Sequence, residues 1–142
     1  MIRPRDPQLQ VELINDVAEV GSYFSGHITR SPVDGSRNTP GRGQVRAVRV
    51  RLHMFTEGRG DKDSWHSNEI EAPVDEHGMT SAPFQLPVPS GAPISYDGSL
   101  VRVRWQIEIR TDRKMALDSV LSTEVLVVPH GGMGLYTRPH PL

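Results

Sequence analysis

The chain has 142 residues, 16 basic and 17 acidic side chains for a formal net charge of −1, and no cysteine. That length fits one domain able to bury its own core. The balanced charge argues against nucleic acid or an anionic membrane surface as partner, and the lack of cysteine excludes disulfides, thiolate metal sites and cysteine nucleophiles.

Hydrophobic residues make up 36% of the chain and charged residues 23%, which suits a globular protein and not a disordered one. The first ten residues, MIRPRDPQLQ, lack the apolar core of a secretory signal. No apolar run reaches the roughly 18 residues of a membrane span. A cytoplasmic location is therefore the default expectation.

Read in chain order, the pattern predicts about seven strands and no clear helix. Leu9 to Ile14 alternates, with Leu9, Val11 and Leu13 on one face. Tyr23 to Thr29 is a second strand, and Gly26 inside it predicts a bulge or a close backbone approach. Residues 31–43 are a polar loop rich in turn formers.

Gln44 to Phe55 is the third strand. Val48, Val50, Leu52 and Met54 share one face, opposite Arg49, Arg51, His53 and Phe55. Val45 and Ala47 are out of phase with that run, so a bulge is expected near Ala47–Val48. Residues 57–64 form a loop, and Trp65 to Glu71 a weak strand. Asp75 to Gly78 reads as a turn.

Met79 to Leu86 is a strand stopped by Pro87 and Pro89. Asp97-Gly98 predicts a tight turn with Gly98 at positive φ. It feeds the clearest strand, Leu100 to Arg110, where Val101, Val103, Trp105, Ile107 and Ile109 alternate with Arg102, Arg104, Gln106, Glu108 and Arg110. Trp105 is expected in the core. Residues 111–120 fit a hairpin loop or one helical turn, the loop being favoured because Met115, Leu117, Val120 and Leu121 match helical spacing only in part, and Leu121 to Val128 is the last strand. The expected division is a β-domain over 1–128 and a Gly/Pro-rich tail over 129–142.

Two blocks of this sequence resemble arrestin-like domains. Gly21, Tyr23, Phe24, Gly26 and Ile28 stand where that family carries an aromatic and glycine pattern, although the proline usual before the first glycine is replaced by Val20. Pro83, Phe84, Leu86, Pro87, Pro93, Ser95, Tyr96 and Gly98, then Val101, Val103 and Trp105, follow the family's second block. The family more often has tyrosine where Trp105 stands. The resemblance covers roughly residues 8–128. It implies an all-β fold, a two-sheet antiparallel sandwich of the immunoglobulin/arrestin-like kind, and a non-enzymatic adaptor or scaffold role. Typical arrestins have two such domains, and bacterial sporulation-control relatives also have more chain.

Candidate chemistry is sparse. The six histidines, His27, His53, His66, His77, His130 and His140, show no HExxH or helical i, i+4 spacing. His27 and His53 lie on predicted strands and could meet. Solvated or hydrogen-bonded histidines are nonetheless expected, with no metal and no cofactor. Asp61, Asp63, Asp75 and Glu76 sit in loops without the EF-hand pattern of a calcium site. Arg59-Gly60-Asp61 matches an integrin-binding tripeptide and is read as coincidence. No nucleophile elbow or phosphate-cradling glycine loop is present.

Arg46, Arg49, Arg51, Arg102, Arg104 and Arg110 form stripes on the wet sides of two strands. If those strands are neighbours, Arg49, Arg51, Arg102 and Arg104 are the candidate site for an acidic or phosphorylated peptide, held by bidentate pairing. The competing reading is a solvated face balanced by Glu108 and other acids. The functional expectation is a non-catalytic protein-binding module working through a sheet edge or this basic face. A self-assembling structural subunit, and hence a homo-oligomer, is the alternative. A metal-dependent enzyme ranks last.

Overall fold

In a computed structural model, residues 6–32, 37–59 and 62–132 are described. They form ten strands in two sheets: β1 (Leu9–Leu13), β2 (Val17–Glu19), β3 (Tyr23–Arg30), β4 (Val45–Gly58), β5 (Ser64–His66), β6 (Ile70–Pro73), β7 (Thr80–Pro87), β8 (Tyr96–Asp97), β9 (Val101–Arg113) and β10 (Ser119–Val128). The small sheet runs β1-β3-β7. The large one runs β2-β10-β9-β4-β5, with β6 also beside β4 and β8 beside β9. This is the all-β, two-sheet sandwich the sequence predicts.

Alternation builds both inner faces. Phe24, Ile28, Phe84 and Leu86 of the small sheet face Val48, Val50, Leu52, Trp105, Ile107, Ile109, Val125 and Val127 of the large one, all in one buried cluster. β4 and β9 are antiparallel neighbours over almost their whole length, from Val45↔Arg113 to Gly58↔Val101. The register slips between Val45 and Ala47, so the bulge falls at Arg46, one residue before the expected place. It lets Val45, Ala47 and Val48 all turn inward.

Several elements differ from expectation, each for a local reason. Val17–Glu19 is a strand too short to show a period, and it pairs in parallel with Leu126–Val128. The weak strand expected over Trp65–Glu71 is two short strands, β5 and β6, that pair with successive stretches of β4. Between them, the Ser67 hydroxyl accepts the Leu52 N–H (2.8 Å) and the Ser67 N–H donates to the Leu52 carbonyl (2.9 Å), replacing the missing ladder bonds. β9 runs on to Arg113, so the expected 111–120 loop shrinks to a tight connection with Met115 at φ 52°. Val101 starts β9 but is exposed, because the strand overhangs the core there.

Gly26 makes a close approach and no bulge. β3 pairs without a break on both sides, and a Cβ on Gly26 would meet the Phe84 ring at 2.5 Å and the Glu12 carbonyl at 2.6 Å. Gly98 is a correction: it is not among the glycines at positive φ. Its N–H donates to the Val101 carbonyl (3.0 Å), and it is tight only against the exposed, movable Tyr96 ring. The strained position is Gly58, at φ 134°, where an added Cβ would collide with the Leu100 carbonyl. Gly58→Ala should therefore cost about 1–3 kcal/mol, and Gly98→Ala much less. Equal melting temperatures for the two variants would refute this assignment.

Candidate functional site

The outer face of the large sheet carries every arginine of the predicted site. The assumed adjacency is present: Arg49 and Arg51 of β4 lie beside Arg102 and Arg104's strand, β9. The register separates them, however. Arg51 stands opposite Glu108 and Arg49 opposite Arg110, while Arg104 stands opposite Phe55 and Arg102 opposite Glu57. Counting along β9, Arg49 and Arg102 are about 26 Å apart, and Arg51 and Arg104 about 13 Å. The four form two pairs at opposite ends of one face.

Each pair has its own electrostatics. Arg49 contacts Asp112 (3.2 Å) and Glu71 (3.2 Å), and Arg46 reaches the same Asp112 (3.0 Å). Burial alone would raise the Asp112 carboxyl, but the guanidiniums of Arg46 and Arg49 pull it below the usual aspartate value. Arg51 is bonded to the largely buried Glu108 (3.1 Å). At the other end, Arg102 meets Asp97 (2.9 Å), and Arg104 meets Glu57 (2.9 Å) and Glu124 (2.6 Å). Those carboxylates are exposed: the Asp97 side chain is 83% and that of Glu124 61% accessible. Exposed pairs are weak and exchange their partners easily. Arg110 is also paired, to Glu69 and Asp118.

β9 changes partner beside Arg104. β10 pairs with it from Ser119↔Thr111 to Val125↔Trp105, and β8 takes over at Tyr96↔Val103 and Asp97↔Arg102. A groove of about 220 Å³ opens at that junction, lined by Ser95, Tyr96, Asp97, Arg102, Arg104 and Glu124 among others. Around it Ile94, Tyr96, Leu100 and Val101 leave apolar surface in water. The sequence places Tyr96 in the arrestin-like block just before the Asp97-Gly98 turn, and gives no sign that this stretch borders a groove.

The remaining candidates fall elsewhere. His27 is in the small sheet, bonded to Ser81 Oγ (2.8 Å), and does not meet His53. His53 instead stacks on His66, with ring centroids 4.1 Å apart and planes 9° from parallel. The Asp75 carboxylate accepts the N–H groups of His77 (2.8 Å) and Met79 (2.8 Å). Those backbone bonds hold its carboxyl below the usual value, which is the work of a turn-former. Asp61 and Gly60, and with them the Arg-Gly-Asp tripeptide and part of the loop carboxylates, lie outside the described residues, as does the tail from residue 133. Among the described residues no helix is long and apolar enough to cross a membrane.

No protein-family model matches the sequence, and no curated protein matches it. Among solved structures the fold is similar to that of Spo0M, the sporulation control protein of Bacillus subtilis, with a TM-score of 0.56 at 12% identity over 87% of this chain. A β-glucosidase from Listeria innocua is also matched, with a TM-score of 0.44 at 13% identity, over 84% of this chain and 16% of that one. The likeness to Spo0M shows the arrestin-like fold expected from the two sequence blocks. This chain spans about half the length of that protein, 49%.

Proposed function

We propose that this chain is a non-catalytic binding module that holds an acidic or phosphorylated peptide segment on the outer face of its large sheet. The arrestin-like fold supports a regulatory role without catalysis, and the lack of cysteine agrees with a cytoplasmic setting. One observation carries the choice of site. Of the four arginines, Arg102 and Arg104 pair, among the described residues, only with exposed carboxylates and border a groove, whereas Arg49 and Arg51 are tied to the shielded Asp112 and Glu108.

A phosphate or carboxylate entering the groove replaces Asp97, Glu57 or Glu124 as the partner of Arg102 and Arg104. Tyr96, Leu100 and Val101 then supply apolar contact beside the charge. Arg49 and Arg51, at the far end, contribute to a segment long enough to run along the face, about eight extended residues.

The test is a charge reversal in two places. Arg102→Glu with Arg104→Glu should weaken binding of a phosphorylated or acidic peptide more than tenfold and leave the melting temperature nearly unchanged. Arg49→Glu with Arg51→Glu should lower the melting temperature more than it lowers affinity. Added salt should weaken binding, because exposed charges are screened beyond about 8–10 Å. Intact affinity after the first reversal would sink the reading.

A second reading rests on the edge of the small sheet. Among the described residues β1 pairs only with β3, is five residues long and contains no proline, while the opposite edge strand β7 carries Pro83 and Pro87. The hydrogen-bonded pairing of Ile14 with Ser25 and of Gln8 with Ser31 turns the backbone groups of Val11 and Leu13 towards that open edge. Strand addition by a second copy there gives a self-assembling subunit. Light scattering on the eluting protein separates this from a monomeric binder.

A further inference from the structure

Three strands bring His53, His66 and Glu108 together in the middle of the outer face. His53 is on β4, His66 pairs with it across to β5, and Glu108 lies on β9 two residues beyond Gln106, the cross-strand partner of His53. Glu108 Oε1 is 3.4 Å from His53 Nδ1 and 3.5 Å from His66 Nε2. The ligand atoms of the three residues all lie within 4.8 Å of one another.

We propose that His53, His66 and Glu108 form a binding site for a divalent transition-metal ion such as zinc. Two imidazole nitrogens and one carboxylate oxygen are the donor set that borderline cations prefer over calcium or magnesium. The spacing suits it. Bonds of about 2.0–2.1 Å in a tetrahedron put ligand atoms about 3.3–3.4 Å apart, close to the two His–Glu separations.

The surroundings favour the ligand state as well. His53 Nδ1 faces Glu108 and is not enclosed by backbone ladder bonds, since it lies on the outer face of the sheet. Gln106 Nε2 lies 2.9 Å from that same Nδ1, so the Gln106 amide must turn aside when an ion takes it. Arg51 Nε touches Glu108 Oε1 at 3.1 Å and orients the carboxylate from outside. The two rings are stacked nearly parallel, so a shared ion requires the His66 ring to rotate towards Glu108. The His66 side chain is about one-third exposed, 35%, which leaves it room. Arg51 is the one arginine of the face that touches this site; Arg102 and Arg104 beside the groove do not, so the proposal does not rest on the peptide-binding reading.

The experiment uses the full chain without a polyhistidine tag, titrated with zinc chloride by calorimetry. Cobalt(II) absorption and histidine 15N shifts report the ligand atoms. One ion per chain is expected, with shifts at His53 Nδ1 and His66 Nε2. His66→Gln and Glu108→Gln should each weaken zinc binding more than tenfold. His77→Gln and His27→Gln should leave it unchanged. His66 sits on a three-residue edge strand, so its variant keeps the fold, which circular dichroism verifies. No zinc uptake by the parent chain, or uptake that survives both His66→Gln and Glu108→Gln, overturns the site.

Discussion

Replacing Trp105 with alanine should destabilise the domain by about 3–5 kcal/mol, among the largest effects a single change can have here. The side chain is 1% exposed and lies between Met54 on β4 and Val125 on β10 in the cross-strand register. The edge of its ring meets Trp65 at a centroid distance of 5.9 Å, an arrangement aromatic pairs favour. Its indole N–H donates to the Pro93 carbonyl (2.9 Å), so the segment linking the small sheet to the large one is anchored to the same residue. Alanine leaves a cavity and an unpaired carbonyl together. Chemical denaturation measures the loss. In a Trp65→Phe background the Trp105 emission should be blue-shifted, and a water-exposed spectrum would refute the assignment.

The same residue shows what the sequence could reveal. Strict alternation over Leu100 to Arg110 identifies the strand, its buried face and Trp105, because a period of two is a property of a single strand. Likewise Val48 to Met54 against Arg49 to Phe55 identifies β4, and the phase change at Val45–Val48 reveals the bulge to within a residue. The Pro-Phe-x-Leu-Pro block gives the arrestin-like topology, and the structure agrees.

Facts that depend on pairing are not written in either strand. The arginines of β4 and β9 alternate outward on both, yet the antiparallel register sets Arg51 against Glu108 and Glu57 against Arg102, and one imagined basic stripe becomes a mosaic of ion pairs. His53 and His66 are 13 positions apart with no motif spacing, and Glu108 is more distant still. Only the β4–β5 and β4–β9 ladders make them neighbours. The glycines obey the same rule. Asp97-Gly98 has the composition of a positive-φ turn, but the residue held against a distant carbonyl is Gly58, and Leu100 is 42 positions further along the chain.

Removing either member of the buried Asp6–Arg30 pair should cost about 3–5 kcal/mol, because the partner left behind is a buried charge without its close counter-charge, Arg113 reaching Asp6 Oδ2 only at 3.8 Å. Arg30 ends β3 in the small sheet, and its side chain is 6% exposed, that of Asp6 2%. Arg30 donates to Asp6 Oδ2 (2.7 Å), to the Gly78 carbonyl (2.7 Å) and to Gln8 Oε1 (3.0 Å). Asp6 Oδ2 also accepts the hydroxyl of Thr111 on β9 (3.0 Å), so one carboxylate joins the two sheets. Burial alone would raise the Asp6 carboxyl, but the hydrogen bond and charge of Arg30, with the bonds from Gln8 and Thr111, hold it below the ordinary 3.8. A folded-state pKa below the unfolded one means the unfolded chain binds the proton first. The stabilisation is thus complete above about pH 4 and is lost as pH falls through the folded value. Arg30→Met and Asp6→Asn should both melt well below the parent at pH 7, and the gap for Asp6→Asn should narrow on acidification below 3.8. Replacing both partners together, Asp6→Leu with Arg30→Met, should recover much of the loss, since no buried charge remains. A double variant as unstable as the singles would show that the pair's hydrogen bonds to Gly78 and Thr111, and not its charges, hold the sheets together.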